Sequence, residues 1–240
     1  MEKYKFSQVN PNRWSEEEKV LRHNYHCVHH HTGLSHPLCY NRENGIEERK
    51  ACLDIEAGGL NADFDIMLSW VIKTSGKGEY FYDYLTKEDL NSASYDKRIM
   101  GTLMEALWNY DRIVTHYGSA WRFDIPFIRA RYLWLKARGL YKGKPFPEYG
   151  MMWSSDTFAM AKRCLKIASR RQDAVANVIL GKDIKTRIDK DYWLAVKYGT
   201  PKQRIAAIKY IVDHNLKDAE QLDGNYLTLL PFVREVRSCV

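Results

Sequence analysis

The chain has 240 residues, of which 45% are hydrophobic and 28% charged, a composition typical of a globular protein with one large α/β core and a small appendage. No apolar run approaches the roughly 18 residues of a membrane-spanning helix, and residues 1–18 are too polar for a signal peptide, so we expect a cytoplasmic protein without membrane contact. The net charge of +7, with 16 tyrosines and 7 tryptophans, suits a protein that meets a polyanion and stacks bases, although charge alone does not establish nucleic-acid binding.

The first part of the chain is polar and rich in histidine. Ser15 is a suitable N-cap for a short helix. The segment 22–39 then holds six of the eight histidines and two of the five cysteines. The number of cysteines is odd and they lie far apart in the sequence, which argues against a disulfide framework. Metal binding is therefore the role to consider for them.

Two short-spaced pairs in this segment predict a structural zinc knuckle within residues 23–40. Cys27 with His31, and His36 with Cys39, flank a Thr-Gly-Leu-Ser turn, and this spacing suits a tetrahedral Zn²⁺ held by two thiolates and two imidazoles. The neighbouring histidines at 29 and 30 compete with His31. A solvated loop that binds metal adventitiously is the alternative. A module this small would unfold on chelation.

From residue 46 the composition becomes that of an ordinary α/β domain, so we expect an N-terminal segment at 1–45 and a second domain at 46–240. Its first strand, 49–56, places Asp54 and Glu56 on one face. Two adjacent carboxylates repel each other unless a cation lies between them or one is protonated, which suggests Mg²⁺ or Mn²⁺. The alternative is a pair of solvated acids at the rim of the sheet.

The following elements are predicted in an order typical of an α/β fold. Two antiparallel strands complete a three-stranded meander, and a crossover helix leads to a parallel strand. A helix with Asp124 near its start lies at the carboxyl edge of the sheet, where α/β folds place their sites. A last strand follows, and the remainder of the chain is predicted to be helical, with breaks at three glycines. The predicted strands are 64–74, 79–84, 112–116 and 151–155, the helices 94–110, 120–135 and 157–234, and the breaks Gly181, Gly199 and Gly224.

A late helix brings His214 and Asp218 onto one face, four residues apart. With this segment, His-Asn-Leu-Lys-Asp at 214–218, three stretches resemble the exonuclease motifs of the DEDD superfamily of 3′-5′ exonucleases. The other two are Leu-Asp-Ile-Glu at 53–56 and Thr-His-Tyr-Gly-Ser-Ala-Trp-Arg-Phe-Asp-Ile-Pro-Phe at 115–127. The resemblance covers roughly residues 50–233. It implies a ribonuclease H-like mixed sheet, with three antiparallel strands plus parallel strands flanked by helices.

The resemblance also implies a two-metal site. Asp54 would bridge two Mg²⁺ or Mn²⁺ ions, with Glu56 and Asp218 on the nucleophile side and Asp124 on the leaving-group side. His214 departs from the family pattern, because it occupies a tyrosine-like position. It is either the general base or a helix-face residue bonded to Asp218 or to the backbone. His116 is assigned to packing.

Substrate contacts are assigned to aromatic and basic side chains. One of three aromatic residues near the third acid could stack on the terminal base, and packing is the expected role of at least two of them: Trp121, Phe123 and Phe127. Basic residues form either a phosphate-binding surface or a solvated helix face: Lys162, Arg163, Lys166, Arg170, Arg171, Lys182, Lys185 and Arg187. We select Phe123 and Lys185 as the nucleic-acid-binding residues.

The sequence therefore predicts a metal-dependent 3′-5′ exonuclease that shortens single-stranded DNA or RNA and releases nucleoside monophosphates. It resembles a stand-alone relative of polymerase proofreading domains, as in phage or bacterial repair, recombination or nucleotide salvage. One alternative is an inactive nucleic-acid-binding or adaptor protein that uses the zinc knuckle and the basic surface. Another is an RNA-processing nuclease. The sequence leaves the sugar preference, the pathway and the oligomeric state open.

Overall fold

A computed structural model describes residues 14–92, 96–119, 122–181, 189–234 and 238–240. Its described strands form one six-stranded sheet in the order β3-β2-β1-β4-β5-β6. Neighbouring strands are antiparallel from β1 to β3 and between β5 and β6, and parallel from β1 through β4 to β5. The predicted ribonuclease H-like mixed sheet is confirmed. The strands are β1 (Lys50–Ala57), β2 (Met67–Thr74), β3 (Tyr80–Tyr84), β4 (Arg112–Thr115), β5 (Trp153–Asp156) and β6 (Ser238–Cys239).

Nine α-helices in the described ranges surround this sheet, and none of them is long and apolar enough to cross a bilayer. The fourth packs its apolar face on the sheet, where the buried indole of Trp70 donates a hydrogen bond to the carbonyl of Ile99 over 3.0 Å. The helices are α1 (Glu16–Asn24), α2 (Pro37–Glu43), α3 (Lys87–Leu90), α4 (Lys97–Leu107), α5 (Asp124–Ala137), α6 (Thr157–Cys164), α7 (Gln172–Leu180), α8 (Lys190–Tyr198) and α9 (Pro201–Leu229).

Helix α9 is the longest element and corrects one prediction. A capping box of Thr200 and Gln203 starts it, and it continues without interruption for 29 residues. The predicted break at Gly224 is wrong, although those at Gly181 and Gly199 are confirmed as the ends of α7 and α8. A Cβ at position 224 would lie 2.9 Å from Leu180 Cδ1, so this glycine allows α7 to pack closely on α9. Tertiary packing outweighs the roughly 1 kcal/mol helix penalty of glycine.

The N-terminal helices pack on the sheet domain. Ser15 caps α1 as predicted, by accepting a hydrogen bond from the Glu18 amide over 3.1 Å. Asn41 of α2 donates to Asp111 Oδ1 over 3.2 Å, and Asp111 Oδ2 accepts from the Arg49 amide over 2.9 Å. These hydrogen bonds join the two parts of the chain just before β4. A domain boundary at residues 45 and 46 stays a prediction.

Candidate active site

The first two acids lie on β1. Asp54 and Glu56 are partly exposed, and the residues on either side of each are buried, as expected for alternation along a strand. Between them, the amide of Ile55 donates to Asp124 Oδ1 over 3.3 Å. The third acid, which opens α5, therefore reaches β1 between the first two.

A close approach at Gly118 seats Asp124. A Cβ on this glycine would lie 2.0 Å from Asp124 Oδ2, a distance that real contacts do not reach. The carbonyl of Gly118 also accepts from the Ile125 amide over 2.9 Å. Only a residue without a side chain lets this loop and the start of α5 lie so close together.

Asp156, at the end of β5, organises the same loop. Its carboxylate caps α6 and accepts hydrogen bonds from the amides of Tyr117 and Ser119 over 3.1 and 3.3 Å. It also forms an ion pair with Arg122 over 3.0 Å. These contacts fix the segment that precedes Asp124.

Helix α9 supplies the fourth acid and the histidine. His214 is buried, and its Nε2 lies 3.2 Å from Asp218 Oδ2. One ligand atom each from Glu56, His214 and Asp218 lies within 4.8 Å of the other two. The structure thus brings together all five residues that the sequence assigned to catalysis, because Asp54 and Asp124 adjoin this group through β1.

The electrostatics of the acids reflect burial and mutual repulsion. Burial, followed by Asp124, Asp218 and Glu56, raises the pKa of Asp54 well above its usual range. Burial and the nearby Asp218 and Asp124 raise the pKa of Glu56 to about 8. Burial raises the pKa of Asp124 to about 7. Burial also raises the pKa of Asp218 above its usual range. Convergent oxygen donors with these properties fit hard divalent cations, which would remove the repulsion.

The structure adds neighbours that the sequence analysis missed. The indole of Trp193 on α8 lies close enough to Glu56 to counteract part of the rise in the pKa of that carboxyl, and its ring packs at 87° against that of His214, with 6.1 Å between centroids. Asp173 at the start of α7 lies near enough to Asp218 to raise its pKa. No local sequence pattern marks Trp193 or Asp173 as a neighbour of the acids. Of the supporting residues, only Asp156 could have been identified from the sequence, because it ends a strand at the carboxyl edge of the sheet.

Comparison with known families agrees with this geometry. Residues 51–149, fewer than half of the chain, match the family model described as the RNase_H superfamily. Residues 51–149 have an RNase H-like fold. Nucleic-acid-hydrolysing enzymes of this superfamily usually use divalent metals, so the match supports a metal-dependent nuclease in general. The matched span contains Asp54, Glu56 and Asp124 and ends before α9. A comparison with curated proteins found no match.

A second group of metal-binding side chains lies beside α2. One ligand atom each from Cys27, His29 and Cys39 lies within 4.8 Å of the other two. The Nδ1 atoms of His29 and His31 are 3.9 and 3.8 Å from Cys27 Sγ. These distances are near the roughly 3.6 Å between sulfur and nitrogen that Zn–S of about 2.3 Å and Zn–N of about 2.0–2.1 Å imply for a tetrahedral ion.

His36 lies in the same cluster but stacks on His31, with 3.7 Å between ring centroids and 15° between planes. Because imidazole lone pairs lie in the ring plane, two nearly parallel stacked rings do not point at one ion. The predicted set of Cys27, His31, His36 and Cys39 therefore requires one of these rings to rotate, and it stays a prediction. The structure favours His29 as the first histidine beside the thiols.

The structure gives no support for substrate binding by the two residues selected for it, Phe123 and Lys185. Phe123 is partly buried against the core, and its ring centroid is 5.5 Å from that of Phe127. Lys185 and Trp121 lie outside the described residues. His116 hydrogen-bonds through both ring nitrogens, to Thr157 over 2.8 Å and to the Arg170 carbonyl over 3.1 Å, as a structural residue would.

Proposed function

We propose that this protein is a metal-dependent 3′-5′ exonuclease that hydrolyses single-stranded DNA or RNA to nucleoside monophosphates. The convergence of Asp54, Glu56, Asp124 and Asp218 carries this proposal, because adjoining carboxylates repel each other unless they hold protons, and divalent cations between them remove that repulsion. The 3′ polarity and the single-stranded substrate rest on the resemblance of the three motifs to DEDD exonucleases.

The four acids would hold two Mg²⁺ or Mn²⁺ ions. Such ions supply Lewis-acid stabilisation of the phosphate charge and lower the pKa of water. The chain's own residues fix the geometry: the Ile55 amide orients Asp124, and the Trp193 indole lies beside Glu56. Catalysis would then depend on positioning and electrostatic stabilisation.

His214 is the proposed general base. It lies at the junction of Glu56 and Asp218, and an imidazole can accept a proton near neutral pH. Its contact with Asp218 gives it a second role, since a ring N–H donated to that carboxylate would hold the acid in place.

The test is incubation of the purified protein with 5′-labelled single-stranded DNA and with matching RNA, in Mg²⁺, in Mn²⁺ and in EDTA. We expect a ladder that shortens from the 3′ end, depends on the metal and is absent in Asp54→Ala and Asp218→Ala. These variants should keep or gain thermal stability, because each relieves repulsion. Asp213→Asn, on the same helix as Asp218, is the matched control and should retain activity.

Two results would contradict the exonuclease. Activity retained by both alanine variants would exclude the four-carboxylate site. Intact substrate with retained binding would favour the alternative adaptor, which binds nucleic acid without cleaving it. Comparison of the DNA and RNA ladders gives the sugar preference in the same experiment.

We also propose a structural Zn²⁺ held by Cys27, Cys39 and two of the histidines 29, 31 and 36. Burial raises the pKa of the Cys27 thiol, but hydrogen bonds from the His31 and His29 backbones outweigh it, so the net shift is downward and favours the thiolate. Cys39 lies close enough to share an ion with Cys27, because the two sulfur atoms are within 4.8 Å of each other.

Elemental analysis tests this site. We expect one zinc per chain, its loss in Cys27→Ser and Cys39→Ser, and its retention in the control Cys164→Ser, a free cysteine on α6. Chelation should increase hydrogen exchange across residues 23–40, because so small a module depends on its metal. Less than one zinc in freshly purified protein would count against the knuckle.

A further inference from the structure

Tyr117 adopts a backbone conformation that a bulky residue rarely takes. Its φ is 58°, and among the described residues only His30 also combines a side chain with a positive φ. Such conformations persist where the surroundings impose them, and they occur often at binding sites. The surroundings here are the hydrogen bonds from Tyr117 and Ser119 to Asp156.

The phenol ring of Tyr117 is supported on the protein side and open to solvent. The Arg122 guanidinium lies 4.7 Å from the ring centroid, and the Phe158 ring packs against it at 73° with 4.9 Å between centroids. The side chain of Arg122 is mostly buried and ion-paired with Asp156, so it is a fixed support. Tyr117 itself remains 46% exposed.

The backbone of Tyr117 adjoins the candidate active site. The next residue is Gly118, which lies against the Asp124 carboxylate. Phe123, the aromatic residue selected from the sequence, packs instead against the core. Of these two aromatic residues, Tyr117 is therefore the one whose side chain is accessible to a substrate near the acids.

We propose that Tyr117 is a stacking platform for an unpaired base next to the scissile phosphodiester. This inference rests on the proposed function and deepens it by naming the residue that selects single strands. A supported aromatic plane stacks any base, so the contact would be independent of sequence. A base paired in a duplex is already stacked and would gain little from it.

The test uses the full chain with Asp54→Ala, which binds without cleaving, and fluorescence anisotropy with a labelled DNA strand. Tyr117→Gly removes the ring and suits a φ of 58°, so thermal unfolding should show an intact fold. We expect Tyr117→Gly to weaken binding roughly tenfold, in the range of one base–aromatic stack, and Tyr117→Phe to bind within about twofold of the parent. Phe232→Ala removes another exposed aromatic residue, beyond the end of α9, and should bind like the parent.

Strands with a single abasic position among the last few nucleotides locate the contact. At one position, the abasic site should weaken binding by the parent about as much as Tyr117→Gly weakens binding of the intact strand. The same abasic site should not weaken binding by Tyr117→Gly any further, because the stacking contact is already absent. Equal binding of the parent and Tyr117→Gly to the intact strand would overturn the platform. Failure of the exonuclease itself is separate, because it appears as absent metal-dependent cleavage by the unaltered protein.

Discussion

A single glycine controls the position of the third acid. In Gly118→Ala the new Cβ would lie 2.0 Å from Asp124 Oδ2 and 2.8 Å from Thr115 Cβ, so the carboxylate or the loop must move. A displacement of about 1 Å can cost roughly 100-fold in rate, and we expect cleavage to fall by at least that factor. Steady-state assays with the labelled strand measure it.

The control for this substitution is Gly101→Ala. Among the described residues, no atom outside the backbone of helix α4 and the two neighbouring residues lies within 4 Å of the position that its Cβ would take. It should leave the rate unchanged and stabilise the protein by about 0.5–1 kcal/mol. Full activity in Gly118→Ala would show that Asp124 tolerates displacement.

The role of His214 can be tested by replacing its imidazole ring, which can accept a proton, with the amide of glutamine. Glutamine can keep a donor near Asp218 but does not accept a proton at neutral pH. We therefore expect His214→Gln to lower kcat about 100-fold or more, because the variant cannot take the proton from the attacking water. Near-normal activity of His214→Gln would instead assign His214 to the positioning of Asp218. Thermal unfolding of the variant controls for loss of structure.

At the scale of elements, buried ion pairs hold the two helices that carry acids. Arg131 of α5 donates to both Asp96 oxygens, over 2.9 and 2.6 Å, and Asp96 also accepts from the Met67 amide over 3.0 Å. On α9, Asp223 pairs with Lys73 of β2 and accepts from Ser75 over 2.8 Å. Each ion pair therefore connects one of these two helices to the sheet at a point outside the candidate active site.

Removal of one partner in the α9 pair should destabilise the fold. Asp223→Ala leaves Lys73 as a buried charge without its carboxylate, which typically costs about 3–5 kcal/mol. Denaturant unfolding measures this loss, and Glu220→Ala, an exposed acid on the same helix, should change stability by less than about 0.5 kcal/mol. The double variant Lys73→Met with Asp223→Leu should be more stable than Asp223→Ala. Equal stability of Asp223→Ala and the parent would contradict the anchoring role.

For the whole molecule, the sequence was sufficient for the order of strands β1 to β5 and for the acids that converge in the candidate site. It missed strand β6 and the non-helical segment 165–171, which it assigned to helix. Period-two alternation at residues 53–56 and helical spacing at 214–218 are local signals, and each survives in the fold. Trp193 reaches Glu56 only because α8 packs beside α9, a relation that no local pattern encodes. The continuation of α9 through Gly224 likewise depends on packing against α7.

The acids together should make stability depend on pH and on metal. Carboxyl groups with a raised pKa bind protons more tightly in the folded state than in the unfolded state. Their contribution to stability is therefore complete below the unfolded pKa, 4.5 for Glu56 and 3.8 for Asp124, and it is lost as pH rises towards the folded pKa of about 8 for Glu56 and about 7 for Asp124. Without added divalent cation, the melting temperature should therefore fall between pH 5.5 and 8.

Added Mg²⁺ or Mn²⁺ should oppose this loss, because ions that bind only the folded state stabilise it by mass action and replace the protons between the acids. The rise in melting temperature should thus be larger at pH 8 than at pH 5.5. Differential scanning fluorimetry across this range, without chelator so that any zinc is retained, measures both effects. Glu56→Gln should flatten the metal-free slope, since it removes the group with a pKa of about 8. An unchanged slope in Glu56→Gln, or an equal metal effect at both pH values, would show that the acids do not share a cation site.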